Sequence, residues 1–270
     1  MARQKNDNLL TYGGHLEVLR QMLFRTLSVS FLFSVIIFCY KDITWELLLA
    51  PSECDFITYR WIENTLHKFG AAGFHFEKFQ VDLIATDLSS QFMTHMTTAI
   101  YLGLLCASPY ILYELFRFIS PALLAKERKY STQVLFIVYA LFCIGVLMSY
   151  FILFPISFRF LGTYSVADKV SSLISLSSYV STFTSLTLVM GIVFQLPIVI
   201  YVLAKKGILN FKILTKYRKV ALFIITAISA IITPPDIMTC ILVTLPLYAL
   251  YECSIWVAKR VYINQKRHEL

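Results

Sequence analysis

The sequence predicts an all-α, polytopic membrane protein with six transmembrane helices and both termini in the cytoplasm. Its 270 residues are 58% hydrophobic and only 15% charged, and the mean hydropathy is +0.69. A soluble domain carries about 25% charged residues, so this composition excludes a soluble enzyme, a disordered chain and a collagen-like fibre. The apolar residues form long continuous runs, which favour helices over the alternating segments of about ten residues that membrane strands show.

Six apolar runs can cross the hydrocarbon core as helices, which takes about 20 residues for ~30 Å. We place them in a single membrane domain, residues 1–270, with a long outer loop at 41–90. Arg25 can extend to the lipid headgroups, and Pro109 and Pro197 are expected to kink the second and fourth spans. The predicted spans are residues 22–40, 93–113, 134–154, 179–203, 218–233 and 237–257.

Spans five and six are predicted to be short, and the sequence Thr233-Pro-Pro-Asp236 separates them. Residues 220–233 would form a helix of about 21 Å, shorter than the hydrocarbon core. Such a helix is expected to thin the surrounding bilayer, whereas a plain tight hairpin with Asp236 in solvent is the alternative. In the outer loop, an amphipathic helix is indicated by Phe56, Ile57, Trp61 and Leu66, and residues 74–84 alternate like a strand.

The distribution of Lys and Arg predicts the orientation. Of the 24 basic residues, 18 lie in the two tails and in the loops after spans two and four. Because short cytoplasmic segments carry the excess of Lys and Arg, both termini are predicted to be cytoplasmic. The net charge of +8 then follows from topology and from attraction to anionic lipid, with no nucleic-acid partner.

Sequence motifs for catalysis are missing. The chain has no HExxH, CxxC, GxxxxGK[ST] or GxSxG motif, and its five histidines form no i, i+4 pair. We therefore expect no metal, no cofactor and no enzymatic activity. Two alternatives remain open: a small-molecule or ion transporter with a polar path along span four near Gln195, and a lipid enzyme, which would need a reactive cluster at the interface.

Two cytoplasmic segments carry the informative charges. Before span one, Glu17 and Arg20 are spaced i, i+3 and can pair on the helix surface. After span two, Ser120 can cap a short surface helix whose first position is Pro121. Glu127 follows among basic residues, where a solvated ion pair contributes about 0–1 kcal/mol.

Eight motifs in this chain occur in a fixed order relative to the spans. They are HLEVLR (15–20), LLAP (48–51), IATD (84–87), SPYILYELFRFISPALLAKERK (108–129), FPISF (154–158), GIVFQLP (191–197), ITPPD (232–236) and LPLYALYE (245–252). In combination they resemble TatC, the multispanning receptor subunit of the twin-arginine protein translocase. The chain departs from the family pattern at Val18 and Gln195, where glutamates are usual, and at Thr239-Cys240, where Ser-Gln is usual.

The resemblance implies a core translocase subunit of the cell inner membrane, which binds twin-arginine signal peptides of folded cargo at the cytoplasmic face and nucleates the export complex. Guanidinium groups favour exposed carboxylates, because their bidentate bonds are specific to Arg. The predicted signal-peptide residues are Glu127, Glu17, Arg20, Phe118, Pro121 and Leu123.

The resemblance also implies partners within the membrane. Single-span subunits of the TatA and TatB type are expected near Thr233, Asp236 and Thr239, where thinning of the bilayer would recruit them. Gln195 is the predicted intramembrane polar residue. Membrane lipid and further copies of the chain in the assembled complex complete the expected partners.

Overall fold

The computed structural model describes residues 12–68, 83–119, 131–164, 173–233 and 236–268, and almost all of them are helical, which confirms the all-α fold class. Short 3₁₀ and π segments occur at Ala50–Ser52 and Ser149–Leu153. The α-helices are α1 (Tyr12–Cys39), α2 (Lys41–Leu49), α3 (Ile57–Lys68), α4 (Ser90–Ile119), α5 (Ser131–Met148), α6 (Phe154–Thr163), α7 (Leu176–Val193), α8 (Leu196–Lys205), α9 (Phe211–Lys216), α10 (Arg218–Ile232) and α11 (Ile237–His268).

Five segments of the described chain are long and apolar enough to cross a membrane, and they overlap predicted spans one to four and six. They are Leu16–Cys39, Ser90–Phe118, Val134–Thr163, Leu176–Lys205 and Ile237–Ile263. The predicted fifth span corresponds to α10, whose 15 residues make a helix of about 22 Å. The count of six spans therefore stays a prediction.

The sixth candidate span is longer in the structure than the predicted span of residues 237–257, and its length within the membrane stays a prediction. Its apolar segment extends over 27 residues, to Ile263. The sequence pattern suggested an end at Val257 because Lys259 and Arg260 follow. The helix continues past these basic residues to His268, and the Arg260 guanidinium lies 3.6 Å from the centre of the Trp256 ring.

The chain divides into two compact units. In the first, residues 1–40 and 99–139, α1 and α4 approach closely at Gly103. A Cβ atom on Gly103 would lie 2.1 Å from Ser34 Oγ and 2.7 Å from the Ser34 backbone nitrogen. Ser34 itself satisfies its hydroxyl within α1, since Oγ donates to the Ser30 carbonyl at 2.8 Å. Small residues thus permit a tight helix contact, as is common within membranes.

The second unit, residues 41–98 and 140–270, contains two apolar cores. One lies among α7, α8, α9, α10 and α11. The other is largely aromatic: the Tyr179 ring packs at 5.0 Å against the rings of both Phe154 and Phe158. Hydroxyl groups connect this aromatic core to the preceding segments, because Tyr179 donates to the Leu48 carbonyl and Tyr59 to the Pro155 carbonyl, each at 2.8 Å.

The segment predicted as a long outer loop, residues 41–90, is partly helical, and its place outside the membrane stays a prediction. It contains α2 and the α3 helix that the sequence indicated. The predicted helix is present, but its apolar residues divide between the two sides: Phe56 and Tyr59 are buried, whereas Ile57 and Trp61 are exposed. Tyr59, rather than Trp61, is directed inwards because its hydroxyl finds a buried carbonyl acceptor.

Of the strand predicted at 74–84, Leu83 and Ile84 form β1 (Leu83–Ile84), which pairs in parallel with β2 (Ile174–Ser175). Residues 74–82 lie outside the described residues.

Proline shapes the third candidate span. Pro155 has no N–H to donate to the carbonyl of Phe151, four residues earlier. The Thr58 hydroxyl donates to that carbonyl instead, and a π-helical turn, Ser149–Leu153, precedes the proline. Ser149, the first residue of this turn, is hydrogen-bonded through its buried hydroxyl to the hydroxyl of Thr187 in α7, at 3.1 Å. The sequence pattern did not indicate this irregularity.

Candidate functional site

The predicted pair at the start of the first span is confirmed. Arg20 Nη2 donates to Glu17 Oε1 at 2.8 Å, and the Glu17 and Arg20 side chains are 47% and 66% exposed. Gln21 Nε2 donates to the same oxygen at 3.2 Å. Val18, next to Glu17, is exposed and apolar. Glu17 is therefore an accessible carboxylate whose neighbours on α1 are its hydrogen-bond donors.

Most of the predicted signal-peptide surface after span two lies outside the described residues. This applies to Glu127, Pro121 and Leu123, and also to the surface helix expected to begin after Ser120. Phe118 is described and is half-buried near the end of α4. The structure thus brings Glu17 and Arg20 together and leaves the arrangement of the other segment a prediction.

A carboxylate that sequence reasoning did not assign to the site is buried in the first unit. Only 7% of the Glu114 side chain is exposed, and Tyr110 Oη donates to its Oε1 at 3.1 Å. Arg25 Nη1 lies 3.7 Å and Arg117 Nη1 3.8 Å from that oxygen. These separations exceed hydrogen-bond lengths, so the attraction is mainly coulombic. The spacing of Tyr110, Glu114 and Arg117 along one helix face was the available sequence signal.

Gln195 lies where the fourth candidate span is interrupted. Pro197 cannot donate to the Val193 carbonyl, so α7 ends at Val193 and α8 begins at Leu196. The predicted irregularity at Pro197 is thus confirmed, whereas α4 continues through Pro109 and the kink there stays a prediction. The Gln195 carbonyl accepts from Ile198 N at 3.0 Å, and the residue is half-buried.

The residues predicted to contact a partner lie around the hairpin between α10 and α11, and two of the three are buried. Thr233 donates through Oγ1 to the Ser229 carbonyl at 2.9 Å. Asp236 caps α11: its Oδ1 accepts from Thr239 N at 2.7 Å, and its Oδ2 accepts from the Thr239 hydroxyl. Only 6% of Thr233 and 1% of Thr239 are exposed.

A small cavity lies beside this cap. Its volume is about 90 Å³, and it is lined by Ile156, Ser157, Phe160, Met238, Thr239 and Leu242. The lining is mainly apolar, but Ser157 Oγ is buried without a hydrogen-bond partner among the described residues. Nearby, Ile231 and Ile237 are 84% and 80% exposed. The hairpin therefore presents an exposed apolar surface, and the cavity lies between α6 and α11.

The family model for "Sec-independent protein translocase protein (TatC)" matches residues 14–246. The chain belongs to the TatC family. This finding confirms the family resemblance that the eight motifs predicted. A TatC protein of Blattabacterium sp. subsp. Periplaneta americana is 34% identical over 274 residues, which are 99% of this chain and 100% of that protein. A TatC protein of Helicobacter pylori is 39% identical over 167 residues, 62% of this chain and 66% of that protein.

Solved TatC structures show the same fold. A crystal structure described as "Twin Arginine Translocase Receptor- TatC" superposes with a TM-score of 0.73 at 30% identity, covering 92% of this chain and 99% of that chain. The TatC relatives are components of a protein translocase. The chain is accordingly a translocase subunit of the membrane and not an enzyme, and membership in this family favours protein transport over solute transport or lipid chemistry.

Proposed function

We propose that this TatC protein is the core receptor subunit of a twin-arginine translocase in the cell inner membrane. It binds twin-arginine signal peptides of folded cargo at the cytoplasmic face and nucleates the export complex. Its six spans form one membrane domain with both termini in the cytoplasm, as the excess of Lys and Arg in the tails and in two loops supports. The description of a matching crystal structure as a twin-arginine translocase receptor supports this role.

The observation that carries the proposal is the exposed carboxylate of Glu17. Its partner Arg20 is one helical turn away, and both side chains are open to solvent. An exposed pair of this kind contributes about 0–1 kcal/mol, so a guanidinium group from a peptide can replace Arg20 at little cost in free energy. Two successive arginines need two acceptors, and Glu127 supplies the second carboxylate on the same side of the membrane in the predicted topology.

Three further residues complete the proposed peptide surface. Phe118, near the end of α4, and Pro121 and Leu123, later in the sequence, supply apolar contact to the peptide in addition to the carboxylate of Glu127. Since Arg forms planar bidentate bonds with carboxylates and Lys does not, a surface of this composition discriminates between the two basic residues. Gln195 provides a neutral polar group for the apolar part of the peptide along the fourth span.

Photocrosslinking tests this proposal. A precursor with a photoreactive residue beside its Arg-Arg pair is mixed with membranes containing the full chain, and a Lys-Lys precursor serves as the peptide control. Glu127→Ala should lower the Arg-Arg crosslink about tenfold, the scale of one hydrogen bond to a charged group, and should change the weak Lys-Lys crosslink much less. Glu17→Ala should act in the same direction.

The matched control variant is Glu46→Ala, because Glu46 is an exposed carboxylate on α2. It should leave both crosslinks unchanged. Equal losses for the Arg-Arg and Lys-Lys precursors would indicate that Glu127 has a structural role. Labelling of a cysteine placed at Lys129 from outside intact cells would overturn the proposed topology and, with it, the receptor surface.

We further propose that single-span subunits of the TatA and TatB type bind at the hairpin of α10 and α11, and that several copies of the chain assemble in the complex. The short α10 supports local thinning of the bilayer. The burial of Thr233 and Thr239 suggests that these hydroxyls shape the hairpin from inside. The exposed Ile231, Ile237 and Met238 then provide the surface that a partner helix contacts, beside the cap of Asp236.

A further inference from the structure

A pocket of about 380 Å³ lies in the second unit, between α2, the first turns of α4 and the start of α7. It is lined by Lys41, Trp45, Leu49, Gln91, Phe92, His95 and Leu176. The volume lies within the range of about 300–1,000 Å³ that is usual for small-molecule sites. None of the motifs assigned to signal peptides or partner subunits includes these residues.

The pocket has a cationic rim and an apolar wall. Lys41, Trp45 and Leu49 lie at positions i, i+4 and i+8 and therefore share one face of α2. The acidic residues of that helix, Asp42 and Glu46, are not among the lining residues. Lysine, glutamine and tryptophan supply N–H donors, while leucine and phenylalanine supply apolar surface.

Three candidate spans begin or end at the lining of this pocket. One ends at Cys39, two residues before Lys41; another begins at Ser90, next to Gln91; a third begins at Leu176. The pocket therefore lies at the level where the hydrocarbon core meets water. Tryptophan is enriched at this level, and lysine side chains extend from it towards the headgroups.

We propose that this pocket binds the headgroup of an anionic glycerophospholipid. The phosphate is placed against the Lys41 ammonium group, with the Gln91 amide and the Trp45 indole N–H as neutral donors. Phe92, which is 55% exposed, contacts the upper part of an acyl chain. A lipid fits better than a soluble anion because the site combines a positive charge with exposed apolar surface at the membrane boundary.

Fluorescence quenching by brominated lipids tests the proposal on the full chain. Trp61→Phe and Trp256→Phe leave Trp45 as the single tryptophan reporter. The protein is reconstituted in phosphatidylcholine vesicles that contain a minor fraction of brominated phosphatidylglycerol or, in parallel, of brominated phosphatidylcholine. Quenching should report about fivefold enrichment of phosphatidylglycerol around Trp45, the value expected for one lysine near an anionic lipid surface. Brominated phosphatidylcholine should quench only in proportion to its mole fraction.

Lys41→Gln should abolish the enrichment, whereas Lys68→Gln, at an exposed lysine of α3 outside the pocket, should preserve it. Equal quenching by the two brominated lipids would overturn the proposal. Equal losses of phosphatidylglycerol enrichment in Lys41→Gln and Lys68→Gln would also overturn it, because general surface charge would then explain the enrichment. If free inorganic phosphate at matched ionic strength abolished the excess quenching by brominated phosphatidylglycerol, the ligand would be a soluble anion instead of a lipid. If Lys41→Gln does not fold, the comparison of the two lipids around the parent protein decides the question.

Discussion

Arg218 at the start of α10 and Glu252 within α11 form a direct ion pair, with 2.8 Å between Nη2 and Oε2. The other carboxylate oxygen of Glu252 accepts from Tyr248 Oη at 3.1 Å. Arg218 is the first residue of α10, and Glu252 lies 16 residues after the cap residue Asp236, so this pair joins the two helices far from the cap. Asp236 caps one end, and Glu252 connects the other.

A double-mutant cycle measures this connection. Arg218→Gln and Glu252→Gln should each lower the free energy of unfolding by about 0.5–1 kcal/mol, since the side chains are 45% and 35% exposed and solvent weakens the attraction. The double variant should lose little more than either single variant. Thermal unfolding in detergent provides the measurement, with Lys219→Gln as the control. Additive losses would show that the two groups are energetically independent.

Glu114 should matter more to stability than an exposed carboxylate does. Glu114→Gln keeps an acceptor for the Tyr110 hydroxyl but leaves Arg25 and Arg117 without their counter-charge, so the expected loss is about 1–2 kcal/mol. Both guanidinium groups are more than half exposed, which limits the effect. Glu17→Gln, at an exposed position of α1, is the matched control and should change the unfolding temperature much less. Equal effects in the two variants would contradict the assigned burial.

Alkaline stability should depend on Tyr59. Burial raises the pKa of the Tyr59 phenol above its usual value of 10.0, so the folded protein holds this proton more tightly than the unfolded chain does. The stabilisation is fully present below pH 10 and is lost as the pH rises beyond that value. Tyr59→Phe should therefore lower stability at neutral pH by about 1 kcal/mol and should reduce the further loss above pH 10.

Unfolding curves at neutral and alkaline pH, compared with those of Tyr164→Phe, isolate the Tyr59 contribution. Tyr164 is 64% exposed and serves as a surface control. A parallel decline of the parent protein and of Tyr59→Phe with rising pH would show that the buried phenol does not contribute.

The length of α10 should affect export. Insertion of four apolar residues after Ile224 adds one helical turn, about 6 Å, and removes the mismatch with the bilayer. Transport of a twin-arginine precursor should fall severalfold. The same insertion in the loop 206–210 leaves α10 unchanged and should be tolerated, provided that protein levels in the membrane are equal. Undiminished export with the longer helix would refute the role of bilayer thinning.

The long continuous runs of apolar residues were sufficient to predict the fold class and the approximate position of each long apolar helix. The prediction was less successful where a local irregularity depends on a distant contact. Thr58 satisfies the carbonyl that Pro155 leaves without a donor, and the two residues are far apart in sequence. Likewise, the inward face of α3 is set by a hydrogen bond from Tyr59 to the Pro155 carbonyl, which periodicity alone does not reveal.

The candidate site was predicted in part for a related reason. The pair Glu17 and Arg20 is local, one turn apart, so the sequence pattern was enough. Glu114 could be located near the end of span two, but its burial depends on packing between helices that are distant in sequence. The pocket around Lys41 combines residues from three separate segments, and no single motif contains them.

The π-helical turn at Ser149–Leu153 has a consequence for chain length. A π turn takes up one more residue than an α turn, which rotates all following side chains by about 100° relative to an uninterrupted helix. Phe154 and Phe158 reach the Tyr179 ring only with this added rotation. An uninterrupted α-helix of the same residues would direct both phenyl rings elsewhere, so the aromatic core depends on the extra residue that this π turn takes up.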